Sequence, residues 1–190
     1  EIEGKTKIKT EVKIKINQKK IIKIENQKRM PKIFALSILL LLITSCDSNT
    51  IISMNKSMPE SWNKDEIIEF DLPKLDSIKT YNLFVNLRNT NDYKYNNIFL
   101  IVAMNFPHGK TVTDTLEYKM AHPDGAWLGN GIGSVKENKL WYKEHVSFKE
   151  DGDYTVSINH AVRNNGNVEG VTNLDGITDV GFSIEESIQE

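Results

Sequence analysis

The sequence predicts an all-β domain, an antiparallel β-sandwich, and three observations carry that expectation. Between residues 67 and 184, apolar and polar side chains alternate with period two in one run after another. The runs are joined by turn chemistry: Asn89-Thr90-Asn91-Asp92, Pro107-His108-Gly109, Pro123-Asp124-Gly125, Glu150-Asp151-Gly152 and Asn164-Asn165-Gly166-Asn167. No segment sustains a 3.6-residue period, and only Ser61 to Asp65 and Asp114 to Met120 read as single helical turns. Seven or eight strands with short joints make a sandwich, and the pattern leaves jelly-roll-like and immunoglobulin-like topologies both open.

The elements follow in order. Ile67 to Leu72 is a short strand. Tyr81 to Asn89 places Tyr81, Leu83, Val85 and Leu87 on one face and Asn82, Phe84, Asn86 and Arg88 on the other. Ile98 to Phe106 is apolar on nearly both faces, as a central strand is. Val112 to Met120 alternates less cleanly. Leu140 to Phe148 aligns Leu140, Tyr142, Val146 and Phe148. Tyr154 to His160 turns Tyr154, Val156 and Ile158 inward, with His160 continuing that face. Val180, Phe182 and Ile184 form the last clean face. Residues 122 to 138 interrupt the pattern with four Gly around Trp127 and Leu128. Such a loop either binds a ligand or folds back to plug the sandwich with Trp127.

The chain has 190 residues, with 24 Lys and Arg against 26 Asp and Glu. The charge is divided unevenly. Residues 1 to 32 hold 11 basic and 4 acidic side chains, whereas residues 47 to 190 hold 13 basic and 22 acidic. A nucleic-acid partner needs positive charge on the folded domain, so an acidic sandwich excludes it. One Cys rules out an intrachain disulfide and a Cys-rich metal cluster.

The first 45 residues read as segments outside the domain. Residues 1–29, rich in Lys and Ile, are expected to be disordered and extraneous upstream sequence, since a single Lys-rich strand builds no core. Met30 opens a sharper pattern. Lys28, Arg29 and Lys32 surround it, and residues 33–43 are apolar except for Ser37. Eleven residues span about 16 Å as a helix, too short for a bilayer, which needs about 20 residues. A basic region, a short apolar core and small residues before a cleavage point describe a signal peptide at residues 30–45. The single Cys stands at that point. Ile43-Thr44-Ser45-Cys46 resembles a bacterial lipobox, in which Cys46 is lipidated and becomes the mature N-terminus. Residues 46–56 are then the lipidated Cys and a polar tether, and residues 57–186 are the sandwich.

Motifs for chemistry are sparse. His108, His122, His145 and His160 form no close metal-binding pair, and no nucleophile elbow, phosphate loop or dinucleotide fingerprint occurs. Asp92, Asp114, Asp124, Asp151, Asp153, Asp175 and Asp179 lie near turns without the spacing of a calcium loop. An enzyme would need at least two of Asp114, Asp124, His122 and His160 on one substrate atom. The expectation is a protein with no catalytic residues, metal or cofactor, acting by surface contact. Phe84, Arg88, Tyr93 and Trp127 are the candidate contact residues, because aromatic and Arg side chains concentrate interface affinity. The blander alternative is that Phe84 packs against the second sheet or a covering loop and Arg88 pairs with a local carboxylate. A glycan is the alternative partner, stacked on Trp127. Asp76-Ser77-Ile78 and Asp114-Thr115-Leu116 resemble an O-glycosylation sequon of exported Bacteroidetes proteins, which marks Ser77 and Thr115.

Several longer stretches carry a family resemblance: SWNKDEIIEF at 61–70, YNLFVNLRNTNDYKYNNIFLIVAMNFPHGK at 81–110, DTLEYKMAHPDGAWLGNGIG at 114–133, KENKLWYKEHVSF at 136–148, then DYTVSINHAVRNNGNVEG and LDGITDVGFSIE. Together they resemble the gliding motility lipoprotein GldH family of Bacteroidetes, over essentially the whole length from Cys46. The family begins at a signal peptide like that at Met30. The resemblance implies an outer-membrane lipoprotein, on the periplasmic face, needed for gliding over surfaces. It also implies other gliding-machinery lipoproteins as partners, a link to type IX secretion, and no catalytic activity.

Overall fold

The computed structural model describes residues 50–59 and 61–187. The expected upstream segment, signal peptide and Cys46 lie outside the described residues. Ten strands follow in order: β1 Thr50–Ser57, β2 Ser61–Asn63, β3 Ile68–Asp71, β4 Tyr81–Asn89, β5 Asn97–Asn105, β6 Thr111–Lys119, β7 Lys136–Val146, β8 Thr155–His160, β9 Asn173–Asp175 and β10 Ile177–Glu186. Every pairing is antiparallel. No helix among the described residues is long and apolar enough to cross a membrane.

One four-stranded sheet has the order β1-β10-β4-β7 and the other β3-β8-β5-β6, with β2 and β9 as a two-stranded ribbon. Only β5 and β6 are consecutive neighbours within a four-stranded sheet. Every other link between strands of these two sheets crosses from one to the other. Eight strands wound in this order form a jelly roll, which settles the topology that the sequence pattern left open.

Alternation explains the layers. In β4, Tyr81, Leu83, Val85 and Leu87 are buried against the second sheet. The register pairs Leu83 with Ile184, Val85 with Phe182 and Leu87 with Val180 of β10, so all six side chains share the inner face. In β5, Ile98, Leu100, Val102 and Met104 point inward, while Phe99, Ile101 and Ala103 are half-buried outside. Val156 and Ile158 of β8 and Ile68 and Phe70 of β3 complete the core. The ribbon adds Trp62 opposite Leu174, both fully buried.

The open edges of β6 and β7 are laced together. The Tyr118 hydroxyl donates to the Trp141 carbonyl. The Tyr142 hydroxyl donates to Asp114 Oδ2 at 2.9 Å, and Lys143 Nζ lies 2.8 Å from the same oxygen. The Lys143 hydrogen bond, with that of Tyr142, holds the Asp114 carboxyl below its ordinary range against some desolvation. Burial, then the Asp114 charge, pushes the Tyr118 phenol up to about 12, and burial followed by the Asp114 hydrogen bond raises Tyr142 as well.

Three expectations differ from the structure. Most of the expected tether is strand: Thr50–Ser57 pairs with β10 from Thr50↔Glu185 to Ser57↔Asp179. Ser61 to Asn63 is β2 rather than a helical turn, because Trp62 must reach the core beside Leu174. Asp114 to Lys119 likewise continues β6, where the pairing to β5 overrides the local helical reading.

Candidate functional site

Register fixes the two ends of the sandwich. Thr50 sits beside Glu185, which sits beside Asn82 near the start of β4. At the other end of β4, Asn89 sits beside Lys136, where the Gly-rich loop enters β7. The nine residues of β4 put about 27 Å between those ends at 3.3–3.4 Å per residue. The β4–β5, β6–β7 and β8–β9 loops crowd the end away from Thr50.

Side chains weld these loops into one surface. Asn89 and Asn138 are buried, and the Asn138 amide donates to Asn89 Oδ1 at 2.9 Å and to the Leu87 carbonyl at 3.3 Å. Tyr93 is buried, donates to the Asn97 carbonyl at 2.7 Å, and has its phenol pushed up mainly by burial. Trp127 lies over it with ring centroids 6.1 Å apart and donates Nε1–H to Asn91 Oδ1 at 3.0 Å. Tyr95 donates to Asn164 Oδ1 at 2.9 Å, tying in the β8–β9 loop. Gly176, at φ 81°, presses against the Tyr93 backbone so closely that a Cβ would overlap its nitrogen. The Thr90 N–H donates to the Gly176 carbonyl at 2.8 Å. The sequence words NLRNTNDY, AWLG and GITDVGF therefore meet at one end of the molecule.

The four candidate contact residues divide. Phe84 points outward as expected but is covered: its ring centroid lies 4.4 Å from that of Trp141, and Lys139 Nζ sits 4.3 Å over it. It is 3% exposed, so it offers no free contact surface. Tyr93 is equally enclosed, at 3%. Trp127 is half-buried and packs on Tyr93, which matches the plug reading rather than an open sugar platform. Arg88 is exposed, with its guanidinium 3.7 Å from Glu137. The aromatic that the pattern passed over is Trp141, 51% exposed on the solvent face of β7. Alternation along Leu140 to Phe148 sets it on the face away from Leu140 and Tyr142, and that signal could have marked it.

Ser77 is exposed in the turn after β3, where Asp76 Oδ1 accepts the Ile78 N–H at 2.9 Å. Thr115 is exposed too, in edge strand β6 opposite Ile101. Among the described residues, no group of three His, Cys, Asp and Glu side chains is placed to hold a metal ion. Asp114 is engaged by Tyr142 and Lys143, Asp124 accepts the Ala126 N–H at 3.1 Å in its own turn, and His160 is 2% exposed in the core. Nε2 of His160 lies 3.0 Å from the Trp62 carbonyl, which only accepts, so Nε2 carries the proton. Nδ1 of the same ring is buried without a partner among the described residues. A cleft of about 350 Å³ beside this residue is lined by Lys64, Asp65, Asn159 and Arg163 among others. A second cleft, of about 210 Å³, lies at the Thr50 end between Pro73, Ser77, Phe148 and Tyr154.

Known proteins place the chain. The GldH lipoprotein family matches residues 50–184. A gliding motility lipoprotein GldH homolog of Christiangramia forsetii is 52% identical over 155 residues, covering 82% of this chain and 95% of the relative. The gliding motility lipoprotein GldH of Flavobacterium johnsoniae is 55% identical over 146 residues, covering 77% and 91%. Among solved structures, that of the infectious bursal disease virus Gx strain aligns with a TM-score of 0.37 at 11% identity, over 74% of this chain and 33% of that one, a likeness too slight to inform function. The family match runs from the first residue of β1 into β10 and takes in every loop of the welded end. This chain belongs to the GldH lipoprotein family.

Proposed function

We propose that this protein is a non-enzymatic lipoprotein component of the gliding motility machinery, anchored by lipid on Cys46 and acting through protein contacts. The observation that carries this reading is the kinship itself: relatives named as gliding motility lipoproteins match over 91–95% of their lengths. The lipobox-like Ile43-Thr44-Ser45-Cys46 supports the anchor, since two or more acyl chains hold a protein stably at a bilayer. The finer proposal places it in the outer membrane, on the periplasmic face, beside other gliding lipoproteins and linked to type IX secretion. The alternative of a tethered carbohydrate-binding module loses its chosen residue, because Trp127 is packed on Tyr93 and bonded to Asn91.

The experiment is metabolic labelling with radioactive palmitate. Cys46→Ala is expected to abolish label, detergent partitioning and gliding together. A variant that still takes up label removes the lipobox reading. A variant that loses label yet glides normally removes the requirement for the anchor.

A further inference from the structure

The cleft of about 350 Å³ beside the end of β8 has a wall built from two segments. The β2–β3 turn supplies Lys64 and Asp65, while β8 and the residues after it supply Asn159, His160 and Arg163. Backbone bonds hold both segments in place. The Lys64 N–H donates to the Thr172 carbonyl and the Val171 N–H to the Val162 carbonyl, each at 2.8 Å. Arg163 and Gly170 form an isolated bridge. The Asp65 N–H donates to Asn63 Oδ1 at 2.9 Å, which fixes the turn. The volume falls near the lower end of the range for small-ligand sites, about 300–1,000 Å³.

Two features of this wall define its ligand. The first is charge. Lys64 and Arg163 are exposed, and neither forms an ion pair among the described residues. Asp65 is the one carboxylate in the wall. Its neighbour Glu66 lies 3.7 Å from Lys56, and Glu169 is exposed beside Gly170. With His160 neutral the wall has a single net positive charge, which suits one carboxylate better than a phosphate dianion. The second feature is a buried acceptor. The His160 ring is enclosed, with Trp62 edge-on at 5.2 Å between centroids. Its Nε2–H is committed to the Trp62 carbonyl, and Nδ1 has no partner among the described residues. Burial lowers the pKa and holds the ring neutral, so Nδ1 can only accept. A buried acceptor left without a donor is costly, and a hydroxyl is the donor that fits.

We infer that the cleft beside His160 binds an organic acid that carries hydroxyl groups near its carboxylate, the chemistry shared by uronic acid sugars and free hydroxy acids. Lys64 and Arg163 hold the carboxylate, Arg163 through its planar fork. Nδ1 of His160 and the Asp65 carboxylate accept from the hydroxyls, and the Asn159 amide both donates and accepts. A neutral sugar lacks the charge and a simple acid lacks the donors, so neither satisfies both halves of the wall.

The test is calorimetric titration of the full-length lipoprotein, purified in detergent micelles, with glucuronate, lactate, glucose and acetate. Glucuronate is expected to bind saturably, with glucose and acetate weaker by about tenfold or more, the effect of losing one charge-assisted or buried hydrogen bond. Arg163→Gln and Lys64→Gln should each weaken glucuronate by about tenfold. The melting temperature should stay unchanged in both, because both side chains are exposed. Lactate that binds as tightly as glucuronate supports the site and assigns it to a free hydroxy acid. Tighter glucuronate supports it and assigns it to an acidic sugar. Acetate equal to glucuronate would reduce the cleft to a charged surface and overturn the role of His160. Glucose equal to glucuronate, binding unchanged in both Gln variants, or no saturable binding of glucuronate or lactate overturns the proposal outright.

Discussion

Lys139 Nζ lies 4.3 Å above the ring of Phe84 and 2.6 Å from Glu185 Oε1, so one ammonium bridges β7 and β10 across the aromatic on β4. Thr50 donates to the same carboxylate oxygen at 3.0 Å, which extends the bridge to β1. The outer face of this sheet is thus fastened from edge to edge, and Phe84 belongs to the fastening. Phe84→Ala should cost about 3 kcal/mol or more of unfolding free energy, as removal of buried aromatics does. Lys139→Ala should cost about 1 kcal/mol, the scale of one favourable cation–π contact with a partly exposed ion pair. Urea denaturation of the two variants measures both, and equal small losses would return Phe84 to the surface.

Asn89 and Asn138 form a buried polar pair at the welded end. Asn138→Ala leaves the Asn89 carboxamide oxygen without its donor, at a cost of about 1–3 kcal/mol. Hydrogen exchange should speed up in the Gly131–Lys136 loop and at the Leu87–Asn89 strand end while the opposite end stays protected. A uniform change across the domain would mean that the pair only contributes to global stability.

Arg88 and Glu137 are both substantially exposed and lie 3.7 Å apart. Exposed pairs contribute about 0–1 kcal/mol, so Arg88→Glu should leave the melting temperature nearly unchanged. Recovery of the gliding-machinery partners proposed above then reports on the surface itself. A large drop in melting temperature would show that Arg88 is structural.

His160 gives the fold a pH dependence. Burial lowers its folded-state pKa, against a smaller opposing effect of the Trp62 carbonyl. The unfolded chain therefore takes up the proton first as pH falls. Stability is full above the unfolded value of about 6.5 and declines from there toward the depressed folded value. Asp114 adds a second decline, beginning only below the ordinary carboxyl value of 3.8, because its folded pKa is also lowered. The urea midpoint should fall between pH 7 and pH 5 in the parent chain and stay level in His160→Gln. An equal fall in both would remove His160 as the cause.

Ser77 is the more accessible of the two sequon hydroxyls, since its turn lies outside any strand. Intact-mass measurement of protein from its native cells should show an addition beyond polypeptide and lipid that disappears in Ser77→Ala and persists in Thr115→Ala. A mass equal to polypeptide plus lipid alone rejects glycosylation at both positions.

The long strands were legible because one face of each is buried, so period-two patterning survives in the sequence. β4 carries four inward side chains and was bounded to the residue. β1 was not legible: its burial rests on Ile52 and Met54 alone, and TIISMNKS reads as a polar tether until β10 pairs with it. β2 and β9 each bury one side chain, Trp62 or Leu174, and a single residue has no period. The sheet order depends on partners more than a hundred residues apart, such as Thr50 and Glu185. At the candidate site, the direction of Phe84 followed from alternation, but its covering by Trp141 and Lys139 depends on cross-strand register. The exposed Ile132 was visible only as part of a Gly-rich interruption, since exposure is a property of the folded loop.

The pairing of β1 with β10 also sets an order of events for a chain made from its N-terminus. Thr50–Ser57 emerges first and has no neighbour in its sheet until Ile177–Glu186 arrives. The same late strand supplies one flank of β4. Half of the jelly roll must therefore wait until β10 has been made, with apolar β4 exposed on that side meanwhile. Non-local pairing of this kind folds slowly, in about milliseconds to seconds, and leaves unpaired edges open to wrong partners. A chain that stops before Ile177 would thus release β1 and strip one side of β4, so that a nonsense codon ahead of β10 acts on the beginning of the domain.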